Sequence, residues 1–499
     1  MTPDSCRHND WYAGRVPTDR RPAHTGIILL IACAAQFMVI LDVSIVNVAL
    51  PSIRTALDFS ENSLQWVVSA YTVTFAGFLM LGGRAGDLLG RKRMFLIGVG
   101  VFSLASLLGA LAATSAQLIA ARGLQGLGGA IVAPATLSII TTTFAEGPAR
   151  NRALGIWGAV AAGGGSAGAL FGGILTETLS WRWILLVNVP IGLVLVPVAW
   201  RYIAESRATL AHRHFDMAGA VSLTAGLVAL VLGIVSIGQY GWGSAEVIGG
   251  IGAAAVLLVL FVAIERRAAA PLVPLSIFAS RTLTGANVVV GLMGATLFAM
   301  WFFLSLYLQQ VLGLSPLQAG LAFLPMTGTL AGAATLAPRL VARFGGRATL
   351  TTGMLLIALG ALLLTQISPG GSWAGDVLVP SVIMALGMGL SFVPVTIAAV
   401  AGVPPERAGL ASGLVNTSRQ MGGALGLAVL TSLATSLTRS YVRDHGVSAL
   451  SGAALVHGYQ GGFLLGGVLA LAGAAAAALL LPSLRLAPGG AVAAAPADA

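Results

Sequence analysis

The sequence predicts an all-α membrane protein with 14 transmembrane helices and both termini in the cytoplasm. Three observations predict it. Of 499 residues, 57% are hydrophobic and only 9% charged, against about 25% charged in soluble domains, and the mean hydropathy is +0.90. The apolar residues gather into runs that match the roughly 20 residues a helix needs to cross a bilayer. Two long stretches also read alike at a fixed offset. Such a composition excludes a cytosolic enzyme, a disordered regulator and a secreted disulfide scaffold. A membrane β-barrel is not expected either, because its strands are short and alternate in polarity.

Residues 1–24 are polar, carry Arg7, Arg15, Arg20 and Arg21, and read as a cytoplasmic tail. The triplet Ala32-Cys33-Ala34 sits inside the following apolar run and does not close it. The first run is therefore expected to be an uncleaved spanner, not a signal peptide. Cys6 and Cys33 suggest neither a disulfide nor a metal site. Apolar runs then occupy about 25–50, 63–83, 94–113, 117–141, 152–175 and 183–200, which form a first six-helix bundle over 25–200. Runs at 216–238 and 247–264 make two additional helices, with flanking loops, over 201–282. Runs at 283–311, 317–338, 348–367, 374–400, 409–437 and 461–481 make a second six-helix bundle over 283–484. Residues 485–499, mostly Ala, Pro and Gly, have little to bury and are expected to form a disordered cytoplasmic tail.

The net charge of +10 invites a nucleic-acid reading, but the basic residues form no stripe or basic helix. They report topology instead. Alternate connections place 21 of the 27 on one side and 4 (Arg54, Arg182, Arg439, Arg443) on the other, with Arg122 and Arg419 inside helices. The positive-inside rule makes the rich side cytoplasmic.

The repeat has an offset of 260 residues, pairing Leu118 with Leu378, Gly129 with Gly389 and Pro134 with Pro394. Leu89-Gly90-Arg91 likewise falls near Phe344-Gly345-Gly346-Arg347. Two repeated bundles about a central path are a plan for alternating access. The glycines Gly163, Gly164, Gly168, Gly172 and Gly173 fit it, since small residues let membrane helices approach closely.

An ionisable residue in the bilayer is a functional candidate by default. Asp42 lies ~12 Å below the outer end of the first helix and Arg122 ~8 Å below that of the fourth, at 1.5 Å per residue. Burial disfavours an ionised carboxylate and a nearby cation favours it. A pair whose separation changes between two conformations would thus take up and release a proton, the alternative being a static tie. Arg419 lies ~15 Å deep in its helix with no acidic residue in the helix interiors of the second bundle. It is equally readable as structural or as a partner of a substrate. The turn at 83–93 supplies Gly83, Asp87, Gly90, Arg91 and Lys92 as a charge latch between neighbouring helices. Gln65, Tyr71, Trp301 and Tyr307 are candidates to line a cavity, although aromatic residues also serve as interfacial anchors. No Walker A pattern or metal-ligand cluster is present, so neither ATP, nor a cofactor, nor a metal is expected.

These residues resemble the fourteen-spanner drug:proton antiporters of the major facilitator superfamily. L-D-V-S-I-V-N-V-A-L-P at 41–51 is similar to their first-helix motif, with Ser44 where Thr is usual. G-R-A-G-D-L-L-G-R-K at 83–92 resembles the cytoplasmic loop motif, with Leu88 replacing a basic residue. Arg122, with Gly123, Gln125, Gly126 and Gly129, looks like the fourth-helix motif tied to proton coupling, and W-R-W-I-L-L-V-N-V-P-I-G at 181–192 is a further match. The fifth-helix antiporter motif is matched without its proline, as Gly168-Ala169. The resemblance implies a non-enzymatic, proton-coupled exporter of amphipathic drugs or antibiotics in the cytoplasmic membrane. Its expected partners are an amphipathic small molecule, protons and membrane lipid, with no nucleic acid, and the chain is expected to act as a monomer. The alternatives are a dedicated exporter or facilitator of a single endogenous metabolite, not strictly proton-coupled, and a channel or membrane sensor.

Overall fold

The computed structural model describes residues 24–144, 147–207, 216–268, 271–273, 275–400, 408–482, 484–486 and 492–494. It contains 14 helices long and apolar enough to cross a membrane among them. These are α1 (Thr25–Ala56), α2 (Trp66–Leu89), α3 (Arg91–Ala110), α4 (Ser115–Thr143), α5 (Arg152–Thr178), α6 (Trp183–Tyr202), α7 (Met217–Ile237) and α8 (Ala245–Arg267). They continue with α9 (Arg281–Val311), α10 (Pro316–Phe344), α11 (Gly346–Gln366), α12 (Trp373–Ala399), α13 (Gly413–His445) and α14 (Gly452–Leu480). Each corresponds in order to one apolar run. The end of the bundle that carries the turn between α2 and α3 is called the basic face below, and the opposite end the far face.

Local chemistry sets the helix ends. Thr114 and Gln117 form a reciprocal capping box at the start of α4, and Ser315 and Gln318 form one at the start of α10, each satisfying backbone N–H groups that the first turn leaves unpaired. The turns between the second and third helices of each half need a left-handed residue, which glycine adopts at no steric cost. Gly90 takes φ +112° and Gly345 φ +85°. The repeat recurs in packing. Gly129 of α4 faces Tyr71 and Phe75 of α2, while Gly389 of α12 faces Leu330 and Ala333 of α10.

The glycines of α5 act through their spacing. A Cβ on Gly164 would lie 3.1 Å from Ile40, one on Gly168 2.6 Å from Ser44 and one on Gly172 2.8 Å from the Ile45 carbonyl. Four-residue steps keep these three on one helix face, and that face lies on α1. The Ser44 hydroxyl donates to the Gly165 carbonyl at 2.6 Å across the same seam. Gly173 faces α10 instead, 2.6 Å from the Pro316 carbonyl. Gly163, expected in the same packing role, is exposed and meets nothing within 4 Å. One residue off the stripe is ~100° round the helix.

Ties between the two halves gather at the far face. The Ser305 hydroxyl donates to the Asn47 carbonyl at 2.5 Å and the Gln309 amide to the Val48 carbonyl at 2.8 Å, joining α1 to α9. Glu177, at the end of α5, accepts from the Ser315 hydroxyl at 2.6 Å and the Leu317 N–H at 2.9 Å. Helix α7 packs against α2 and α13, and α8 crosses α7 closely where Gly250 meets Gly233. The outer surface of α8 (Ile248, Val256, Val259) is exposed, as suits a lipid solvent.

The expected tail at 1–24 lies, apart from His24, outside the described residues. Around the start of the segment expected to be disordered, Leu484–Leu486 and Val492–Ala494 pair as short antiparallel strands. Backbone pairing needs no apolar side chains, and so composition did not signal it.

Candidate functional site: a buried ion-pair network

Asp42 and Arg122 meet. Asp42 is fully buried in α1 and Arg122 is 1% exposed in α4. Arg122 Nη1 donates to Asp42 Oδ2 at 2.5 Å and to Gln125 Oε1 at 2.6 Å, and its Nε donates to the Val67 carbonyl at 2.8 Å. The guanidinium stands 4.6 Å from the centre of the Tyr71 ring, a cation–π geometry. The other carboxylate oxygen, Asp42 Oδ1, accepts from Gln125 Nε2 at 2.6 Å and from Asn188 Nδ2 at 2.9 Å. Gln125 Nε2 also donates to Ser106 Oγ at 2.8 Å, and Ser106 donates to the Phe102 carbonyl at 2.8 Å. Groups of α1, α2, α3, α4 and α6 thus join one network around a carboxylate that itself accepts from Arg122, Gln125 and Asn188. Such a network is stable in a low-dielectric interior only when its members are satisfied. Two atoms are not: Asn188 Oδ1 and the Tyr71 hydroxyl are buried without a hydrogen-bond partner.

The local backbone explains the convergence. Helix α6 is built from a short turn, Trp183–Leu186, and a second helix, Asn188–Tyr202, which meet at Val187. Asn188 opens the second segment and is aimed inward from there. Gln125, one turn beyond Arg122, lies on the same face of α4. Sequence reasoning quoted Gln125 and Asn188 inside motifs but gave them no role, and missed Ser106. An uncharged polar residue does not stand out in an apolar run as a charge does.

The expected latch residues make contacts between neighbouring helices of the first half. Arg91 pairs with Asp87 at 2.9 Å, one turn away across the bend. Gly83 lies inside α2 against Pro134 of α4. Lys92 Nζ donates to the Trp200 carbonyl at 2.6 Å and sits 5.2 Å from the Trp200 ring centre. Glu205, just beyond α6, accepts from the Lys92 and Arg93 N–H groups at 3.2 Å each. A carboxylate there complements the positive end of α3, and these contacts fasten α2, α3 and the end of α6 within the first half. Sequence reasoning missed Glu205, whose only signal was an acidic residue in a basic loop. Glu205→Ala is expected to cost about 1 kcal/mol, the scale of a lost helix cap. A lowered melting temperature with an unchanged pH dependence of transport would verify it.

The expected cavity residues scatter. Tyr71 is buried beneath the Arg122 guanidinium. Gln65 is buried at the start of α2, where its carbonyl accepts from the Val68 and Ser69 N–H groups. Tyr307 is buried at the far end of α9, its hydroxyl donating to the Ser368 carbonyl at 2.9 Å and to Asp376 at 3.2 Å. Long aromatic side chains near a helix end reach neighbouring loops as readily as a cavity. Trp301 is half-buried, its ring 4.7 Å from that of Phe323. Arg419 is half-buried and donates to Asn416 Oδ1 at 2.7 Å.

Comparison with known proteins agrees with this architecture. The chain is 45% identical over 413 residues to the Cephamycin export protein CmcT of Amycolatopsis lactamdurans, covering 82% of this chain and 85% of that one. It is 40% identical over 435 residues to the Puromycin resistance protein pur8 of Streptomyces alboniger, covering 86% of each. Among solved structures, a bacterial homolog of the human lysosomal transporter Spinster, inward-facing and unoccupied, matches with a TM-score of 0.65 and 18% identity over 92% of this chain and 97% of that one; this likeness is one of fold. The sequence profile of the Major Facilitator Superfamily matches residues 32–216 and 217–427. The chain belongs to the Major Facilitator Superfamily.

Proposed function

We propose that this protein exports amphipathic drugs or antibiotics across the cytoplasmic membrane in exchange for protons, with the basic face and both termini in the cytoplasm. The observation that carries the reading is the Asp42 carboxylate, fully buried and held by three donors from α4 and α6. The names of the relatives, an export protein for cephamycin and a resistance protein for puromycin, support the substrate class.

The chemistry is a proton transfer without any other bond change. In the arrangement seen, the hydrogen bonds to Asp42 are those of an ionised carboxylate. Sliding α1 along the glycine face of α5 withdraws Asp42 from Arg122, and a group deprived of its cation in a dry interior favours the neutral acid. A proton from the far face then adds to the carboxylate, while Arg122 keeps Gln125 Oε1 and the Val67 carbonyl. Return to the paired arrangement expels the proton toward the basic face. The far-face ties between halves correspond to closure on that side.

Asn188 follows the proton. Gln125 is fixed, because Arg122 holds its Oε1 and Ser106 its Nε2. Asn188 Oδ1 has no partner, so this amide turns over without breaking another bond and accepts from the protonated acid. Asn188→Leu removes both services. Charge-assisted bonds are roughly twice as strong as neutral ones, so losing the donor outweighs losing the acceptor. The number of protons released per substrate bound is expected to fall; an unchanged yield would reduce Asn188 to packing. The function itself is tested by reconstitution: uphill export in proteoliposomes driven by an imposed pH gradient, and abolished by a protonophore.

A further inference from the structure

Five consecutive polar residues, Asn416-Thr417-Ser418-Arg419-Gln420, interrupt the apolar α13. Their place is the seam between the halves. Gly413 faces the Met80 methyl of α2 at 3.9 Å. Asn416, Thr417 and Gln420 follow at three, four and seven residues and so share that face. Ala424 and Ala428 extend it against Val73 of α2 and Leu227 and Val231 of α7. The Arg419 guanidinium is held on this side by Asn416 Oδ1 at 2.7 Å.

The cluster is rich in donors and poor in acceptors. Arg419 carries five N–H donors and a fixed positive charge, yet that single bond is the one it makes among the described residues. Thr417 is 3% exposed and its hydroxyl has no partner. Gln420 is 4% exposed and its amide makes no hydrogen bond among the described residues. The carboxylates within the fold are engaged elsewhere: Asp42 by Arg122, Asp216 by the Gly219 N–H, Glu265 by the Val273 N–H, and the half-buried Asp376 by Tyr307 and Ser368. Pairing Asp42 with Arg122 leaves Arg419 as uncompensated charge, which a membrane interior tolerates only beside a partner or water.

We infer that Arg419, with Thr417 and Gln420, forms a subsite for a singly charged anionic group, a carboxylate or sulfonate, on an amphipathic substrate. This rests on the exporter reading and narrows its substrate class. The anion supplies the missing counter-charge, Thr417 and Gln420 donate to its remaining oxygens, and the apolar body of the substrate lies along the seam.

Binding of two fluorescent probes to the purified protein in zwitterionic nanodiscs tests the subsite without any pH gradient. The probes are anilinonaphthalenesulfonate and its uncharged parent, phenylnaphthylamine, which differ by the sulfonate alone. The native protein is expected to bind the sulfonate more tightly. Arg419→Gln is expected to weaken the sulfonate by roughly 10- to 100-fold, the scale of a charge-assisted hydrogen bond, and to leave phenylnaphthylamine within about twofold. Arg419→Lys, which keeps the charge, should fall between. Retained phenylnaphthylamine binding also reports that the variants are folded.

Three outcomes overturn the assignment: no preference for the sulfonate in the native protein, equal weakening of both probes in Arg419→Gln, or displacement of the sulfonate by added phosphatidylglycerol in an Arg419-dependent manner. The last would assign the anion site to a lipid headgroup. Proton-driven transport and its Asp42 dependence are measured separately, so failure of the antiport reading leaves this result standing, and the reverse holds too.

Discussion

Asp42→Asn is expected to abolish proton-driven uphill export while leaving a folded protein that still binds substrate. The substitution is nearly isosteric. The side-chain oxygen of asparagine still accepts from Arg122, and the backbone positions that bring α1, α4 and α6 together are untouched. What disappears is the ability to exist in two charge states. With no group on α1 to carry a proton, the imposed gradient has nothing to act on, and export should fall to the background of empty liposomes. Downhill exchange of substrate for substrate, which needs no net proton movement, should persist. Flux measured for puromycin and a panel of amphipathic antibiotics, with and without the gradient, separates the two. Persistence of uphill export in Asp42→Asn would remove the proposed carrier.

Arg122→Ala should be the most damaging single change. It deletes the cation and three hydrogen bonds, to Asp42, Gln125 and the Val67 carbonyl, and leaves a carboxylate buried without its charge partner. Removing one member of a buried ion pair costs about 3–5 kcal/mol, well above the effect expected for Glu205→Ala. Without its cation Asp42 no longer alternates between a paired and an unpaired arrangement, so the exchange of protons stops. Export should be lost, and the melting temperature should fall sharply. Adding Asp42→Asn to Arg122→Ala removes the stranded charge, and so the double variant should recover part of the lost stability without recovering transport. Such non-additivity is the signature of direct interaction. Full activity in Arg122→Ala would instead make Arg122 a packing residue.

The spanning helices were legible because lipid leaves few alternatives: a run of apolar residues long enough to cross, bounded by Arg or Gly, becomes a helix. Asp42 and Arg122 were legible for the related reason that a charge in such a run is costly. Their uncharged partners were not. Ser106, Gln125 and Asn188 cost little individually, and only the crossing of α3, α4 and α6 shows that Gln125 and Asn188 reach the same carboxylate, with Ser106 behind Gln125. Composition also misjudged direction. Gly163 and Gly164 look alike in sequence, but one helical step turns the first away from α1. Tyr71 and Tyr307 are both aromatic and near a helix end, yet one lies under a guanidinium and the other caps the far-face loop before α12. The latch residues were legible because they are charged and close in sequence. Their contacts run to Asp87, Trp200 and Glu205, all within the first half, and so join neighbouring helices there.

The infrared difference spectrum recorded when substrate is added to purified protein in nanodiscs tests the central claim most directly. A side-chain acid that ionises loses its carbonyl stretch and gains the bands of a carboxylate. The account predicts this exchange in the native protein, its disappearance in Asp42→Asn, and a matching release of protons to the medium. A spectrum in which Asp42 stays ionised with and without substrate, at every pH where the protein transports, would contradict it.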